Sequence, residues 1–132
     1  MKKLSLLAFS CLFSSLSFAQ QATPEIAIIP EPVKITRYAG MYTLPQAIIV
    51  QAGSQQGMNP VLDLIRQKFS TATGKMVLVR TDAPGATIKL VLNKKTDNTI
   101  GKEGYYLSVK TTGITITANQ PAGLYYGAQT LM

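Results

Sequence analysis

The chain has 132 residues, with 13 Lys and Arg against 6 Asp and Glu, a formal net charge of +7, no His, no Trp and one Cys. Without His, and with Cys11 inside the leader described next, Ser-His-Asp and Cys-His catalysis and most zinc or transition-metal sites are excluded. The basic residues are scattered in runs of at most two and are not interleaved with aromatics, so the charge reads as a solvated surface rather than a nucleic-acid groove.

Met1-Lys2-Lys3 is a basic start, and Leu4 to Phe18 is an apolar, Ser-rich run ending in Ser17-Phe18-Ala19. This order is that of a secretory signal peptide over residues 1–19, cleaved after Ala19, and the run is shorter than the roughly 20 residues a bilayer span requires. A lipid-attachment role for Cys11 is disfavoured by Phe9, which stands where a small residue is wanted. The expected product is a secreted or periplasmic domain, residues 20–132, with no disulfide, no membrane segment after cleavage and net charge +5 once Lys2 and Lys3 are removed.

Gln20 to Glu25 is polar and expected as a disordered lead-in. Ile26 to Ile29, bracketed by Pro30 and Pro32 and continued by Val33 and Ile35, is expected to enter the fold as an extended edge segment, because prolines cannot serve a central ladder. Tyr42–Leu44 reads as a short strand, and Ala47–Gln51 as a clear one.

Asn59-Pro60 is expected to cap and open a helix carrying Val61, Leu64, Ile65, Phe69 and Ala72 on one face, with Gly74 closing it. Strands are expected at Met76–Arg80 and Thr87–Asn93, followed by a polar loop from Lys94 to Glu103. Tyr105–Val109 and Ile114–Ala118 alternate around a Thr111-Thr112-Gly113 turn as a hairpin.

Leu124, Gly127, Ala128 and Leu131 then fall on one face of a last helix, with Asn119 as its expected N-cap and Pro121 in its first turn. Gly123 and Gly127 share one side of that helix, which points to close backbone approach against the sheet or a neighbouring domain. Strands adjacent in sequence favour antiparallel pairing. The expected fold is therefore α+β, a two-layer sandwich of a mainly antiparallel sheet with two helices on one face.

Six carboxylates remain as candidate chemistry: Glu25, Glu31, Asp63, Asp82, Asp97 and Glu103. Glycoside hydrolysis ordinarily needs two that face each other, and no spacing here puts two on one rigid face, so capping or surface roles are expected for all six. Tyr105, Tyr106, Tyr125 and Tyr126 stand in adjacent pairs, where one member of each is expected to pack and the other to face outward. No catalytic, cofactor-binding or metal-ligating residue is assigned, and no cofactor is expected.

The segments IIPEPVKI, EGYYLSV followed by GITITA, and AGLYYGAQTLM together resemble the N-terminal, non-catalytic domain of glycoside hydrolase family 20, the β-N-acetylhexosaminidases and chitobiases. The residues that carry the likeness are Pro30, Pro32 and Val33, then Gly104, Tyr105, Leu107, Val109, Ile114, Ile116 and Ala118, and finally Gly123, Leu124, Gly127, Gln129, Thr130 and Leu131. A related domain precedes the barrels of some α-glucuronidases and O-GlcNAc-removing hydrolases, but the GAQTL stretch favours family 20. The resemblance implies a (β/α)₈ barrel as partner, N-acetylhexosamine-containing oligosaccharide as the substrate of that barrel, and an Asp-Glu pair within it. No Asp-Glu dipeptide and no Trp occur in this sequence, so no catalytic residue is carried over. Leu131-Met132 lies in a running apolar stripe without a cap, and the expectation is a chain that continues into the barrel.

Overall fold

The computed structural model describes residues 27–29 and 31–132. The signal-peptide assignment over residues 1–19, together with Glu25, Ile26 and Pro30, lies outside the described residues. Seven elements follow in chain order: β1 Ala47–Gln51, α1 Met58–Thr73, β2 Met76–Arg80, β3 Ile88–Leu92, β4 Tyr105–Lys110, β5 Gly113–Ala118 and α2 Pro121–Thr130. The strands form one sheet in the order β2-β1-β3-β5-β4.

The α+β class is as expected, but the sheet is not mainly antiparallel. β1 runs parallel to β2 and to β3, β3 runs parallel to β5, and only the β4–β5 hairpin is antiparallel. The reason lies in the connections. A single helix between β1 and β2 brings the chain back to the end from which it started, which makes those two strands parallel. β5, rather than β4, then takes the place beside β3.

Alternation decides which side of the sheet is covered. Ile48, Val50, Ile88, Leu90, Ile114, Ile116 and Ala118 are buried on one face, together with Met58, Val61, Ile65 and Phe69 of α1 and Leu124 and Ala128 of α2. The α1 residues recur every three or four positions, so one stripe of the helix meets the sheet. Tyr42, Leu44, Val77, Val79, Leu92, Tyr105 and Leu107 close the rim of this core. Thr87 is the one buried polar residue among those described, and its hydroxyl accepts the Ile49 N–H at 3.2 Å.

The helix termini follow glycine more than side-chain caps. α1 starts two residues earlier than expected: Gly57, with φ 85°, stands at the N-cap in place of Asn59, and no side chain caps the helix. Pro60 still falls in the first turn, where its missing N–H has no helical partner in any case. Gly74, with φ 67°, ends α1 as expected and donates its N–H to the Ser70 carbonyl at 2.9 Å. α2 opens on Pro121 as expected, but Gln120 is the residue before it, and Asn119 does not cap the helix.

The short strand expected at Tyr42–Leu44 does not form, and the described part of the expected extended edge segment pairs with no strand. Residues 31–46 carry no strand, and Ile29, Val33, Tyr38 and Met41 are largely exposed. Lys75 Nζ donates to the Leu44 carbonyl at 3.4 Å, so the end of this segment is held by a side chain beside β2 rather than by a ladder.

Gly123 and Gly127 let α2 press against the sheet. A Cβ on Gly127 would stand 2.5 Å from Ile116 Cγ2 and 3.0 Å from the Tyr105 ring, and one on Gly123 would stand 2.5 Å from the Gly104 carbonyl oxygen. A methyl group at either position overpacks the interface at a cost of about 1–3 kcal/mol, more than the roughly 1 kcal/mol that Ala gains over Gly in a helix. Gly127→Ala is therefore expected to destabilise the fold by up to about 2 kcal/mol in urea unfolding. Gly123→Ala should cost more, since its neighbour is backbone, whereas Gly85→Ala, with nothing within 4 Å, should be close to neutral.

Candidate functional site

Polar side chains converge most densely above the end of β5. β3 and β4 are not neighbours, so the loop between them must cross the end of the strand that separates them. Asn119, the first residue after β5, holds that loop. Its Oδ1 accepts from Asn93 Nδ2 at 2.8 Å and from the Asp97 N–H at 2.9 Å. Its Nδ2 donates to the carbonyls of Asp97 at 2.7 Å and Gly101 at 2.5 Å. The side chain expected to cap α2 is used for long-range bonds instead, with partners 18 to 26 residues away.

Asp97 belongs to the same cluster. Its carboxylate accepts the Thr99 N–H at 2.9 Å and the Tyr106 hydroxyl at 3.0 Å. The Thr99 backbone bond, aided by the Thr99 and Tyr106 side chains, holds the Asp97 pKa below its ordinary value. The bond to Asp97 in turn raises the Tyr106 pKa above the usual tyrosine value. This is the chemistry of a loop anchor, because both groups are tied to each other in the charge states they hold near neutrality.

The other carboxylates are dispersed. Asp63 pairs with Arg66 at 3.2 Å along the exposed side of α1. Glu31, Asp82 and Glu103 are exposed. Among the described residues, no group of three or more His, Cys, Asp or Glu stands where it could hold a metal ion, and no helix is long and apolar enough to cross a membrane.

The tyrosine pairs divide as expected, the strand pair by alternation and the helix pair by position relative to the apolar stripe. Tyr105 packs on the core rim and its hydroxyl meets Thr130 Oγ1, while Tyr106 faces outward. Tyr125 packs on the core, and the exposed Tyr126 meets its ring edge-on at 6.2 Å. A hollow between the C-terminal ends of the helices is lined by Lys68, Phe69, Ala72, Thr73, Leu131 and Met132 and contains no acid or base pair.

The fold and these sequence features have known counterparts. The family model described as glycosyl hydrolase family 20, domain 2, matches residues 25–132. The chain belongs to that family. A mutant β-hexosaminidase of Streptomyces plicatus, solved with its product GlcNAc, superposes with a TM-score of 0.70 at 29% identity over 79% of this chain and 20% of that one. The family 20 β-N-acetylhexosaminidase of Streptomyces coelicolor gives the same values. The β-N-acetylhexosaminidase of Bacteroides fragilis matches with a TM-score of 0.59 at 25% identity, over 79% of this chain and 20% of that one. The chain thus spans about a fifth of the length of these enzymes. No curated protein matches it in sequence.

The Asp97–Tyr106 bond has a definite pH signature. A carboxylate with a depressed folded pKa contributes stability above its unfolded pKa and loses it as pH falls through the folded value. A phenol with a raised folded pKa contributes below its unfolded pKa and loses it as pH rises through the folded value. The contribution of the bond is therefore intact at neutral pH and fades at both extremes. Asp97→Asn should bring Tyr106 back toward ordinary tyrosine titration, seen as one tyrosine ionising earlier in an absorbance titration of the phenolates.

Proposed function

We propose that this chain is the non-catalytic α+β domain of a secreted or periplasmic β-N-acetylhexosaminidase, which removes terminal N-acetylhexosamine from chitobiose and related glycans. The family match over residues 25–132 carries the reading, and the superposition on the Streptomyces hexosaminidases supports it. Residues 1–19, with their basic, apolar and small-residue order, support export.

The catalytic work falls to a (β/α)₈ barrel outside this chain. There the substrate's own 2-acetamido oxygen attacks the anomeric carbon, a Glu acts as general acid and then base, and the neighbouring Asp orients the acetamido group. Retention of configuration follows from the two successive displacements, and family 20 is one of the substrate-assisted exceptions to the two-carboxylate scheme. This domain supplies a rigid sheet-and-helix body beside the barrel rather than a reacting group.

The test is a pair of assays on a chromogenic β-N-acetylglucosaminide. The polypeptide that carries this domain with its barrel should hydrolyse it and release the β-anomer first, as seen by proton NMR. Residues 20–132 alone should show no turnover. Turnover by the isolated piece would overturn the placement of catalysis outside it, and an inactive or inverting parent would overturn the assigned reaction.

A further inference from the structure

The sheet has a second face. α2 lies against Ile116, Ala118 and Tyr105, and the buried stripe of α1 joins the same core, so the alternate residues of every strand point the other way. The strand register aligns five of these into one row across the whole sheet. Ser108 is opposite Thr115, Thr115 is opposite Lys89, Lys89 is opposite Gln51, and Gln51 is opposite Arg80. With strands about 4.8 Å apart, the row is about 19 Å long.

Its chemistry is uniform. The row consists of two hydroxyls, one amide and two cations, and no strand residue on this face is acidic. Lys110 adds a third cation at the hairpin end of the same face. Among the described residues the ion pair shown is Arg66–Asp63 on α1, and the Arg80 guanidinium donates to the adjacent Val79 carbonyl. Among the described residues, no carboxylate pairs with the cations of the row. The two acids closest in sequence lie off the row: Asp97 is bound to Tyr106 and Thr99, and Asp82 is exposed in the turn after β2.

The next row holds Tyr106, Thr117 and Val91. Tyr106 is 48% exposed, and its hydroxyl bond to Asp97 fixes the ring in place. An anchored aromatic beside hydroxyl and amide groups offers a sugar one apolar surface and several hydrogen-bond partners.

We infer that this uncovered face binds a linear anionic glycan lying across the strands. Charge complementarity selects the anion: the strand residues of this face include three cations and no acid, and the Asp97 carboxylate beside it is tied to the Tyr106 hydroxyl and the Thr99 N–H. The Lys89 and Arg80 positions are two strands apart, about 9.6 Å, which suits carboxylates or sulfates repeating along a sugar chain. A nucleic acid would require successive bases to stack on several aromatics, and the two rows supply one. The surface is independent of the hydrolytic reaction proposed above, and the glycan it holds need not be the substrate.

The experiment is calorimetric titration of the full-length protein with oligogalacturonate, with uncharged chitopentaose and single-stranded DNA as comparisons. Oligogalacturonate should bind, more weakly as salt is raised, and Lys89→Gln with Arg80→Gln should weaken it at least about tenfold. Lys68→Gln, on α1, should leave binding unchanged, and N-acetylglucosaminide hydrolysis by the Lys89/Arg80 double variant should match the unsubstituted protein. If the double variant folds poorly, amide shifts in the unsubstituted protein decide: they should map to Ser108, Thr115, Lys89, Gln51 and Arg80. Absence of binding, equal affinity in a folded double variant, shifts confined to α1 and α2, or tighter binding of DNA would each overturn the inference.

Discussion

The second half of this fold depends on a loop that must pass over the end of β5, and on the Asn119 side chain that holds it there. β5 sits between β3 and β4, although β4 comes first in the chain. The loop leaving β3 therefore has to leave room for a strand that comes later. Asn119 follows β5 immediately and closes the arrangement with four hydrogen bonds to residues 93, 97 and 101. The Asn93 N–H also donates to the Ala118 carbonyl at 2.8 Å, so side chain and backbone lock the same crossing.

α2 reinforces the crossing from the other side. Gly123 lies against the Gly104 and Glu103 carbonyls where the loop enters β4, and Gly127 lies against Ile116 of β5. Cβ atoms at these positions would force the helix outward and separate it from the hairpin it covers. The family likeness was carried by these residues as well: the Gly-containing helix and the alternating hairpin pack as one unit.

Much of this could be read from local pattern. β1, α1, β2, the hairpin and α2 all stand where their periodicities place them, because each carries a clear period of two or a stripe at helical spacing. Strand direction was not legible in the same way. Alternation states which residues face the core, not which strand is the neighbour, and the parallel β1–β3 and β3–β5 pairs are set by connections that skip a strand. The residues before Pro45 misled for a related reason: Val33 and Ile35 have strand chemistry, but a strand requires a partner edge. Asn119 looked like a helix cap because its helix is adjacent, whereas its actual partners are distant in sequence. The carboxylates were read as surface or capping groups from their spacing; Asp63 pairs with Arg66, and Asp97 anchors a loop. The polar row on the uncovered face required the register, which no local pattern supplies.

The most direct test of this account replaces Asn119 by Asp, which keeps the size of the side chain but sets a carboxylate oxygen against the Asp97 and Gly101 carbonyls. Loss of these bonds should cost about 1–3 kcal/mol. Amide hydrogen exchange on the folded variant is the measurement. The account predicts that protection falls first in residues 93–104 and then along β4 and its pairing with β5, while β1, β2 and α1 keep theirs. Unchanged protection in β4 and the crossing loop, or a uniform loss across the sheet, would contradict it.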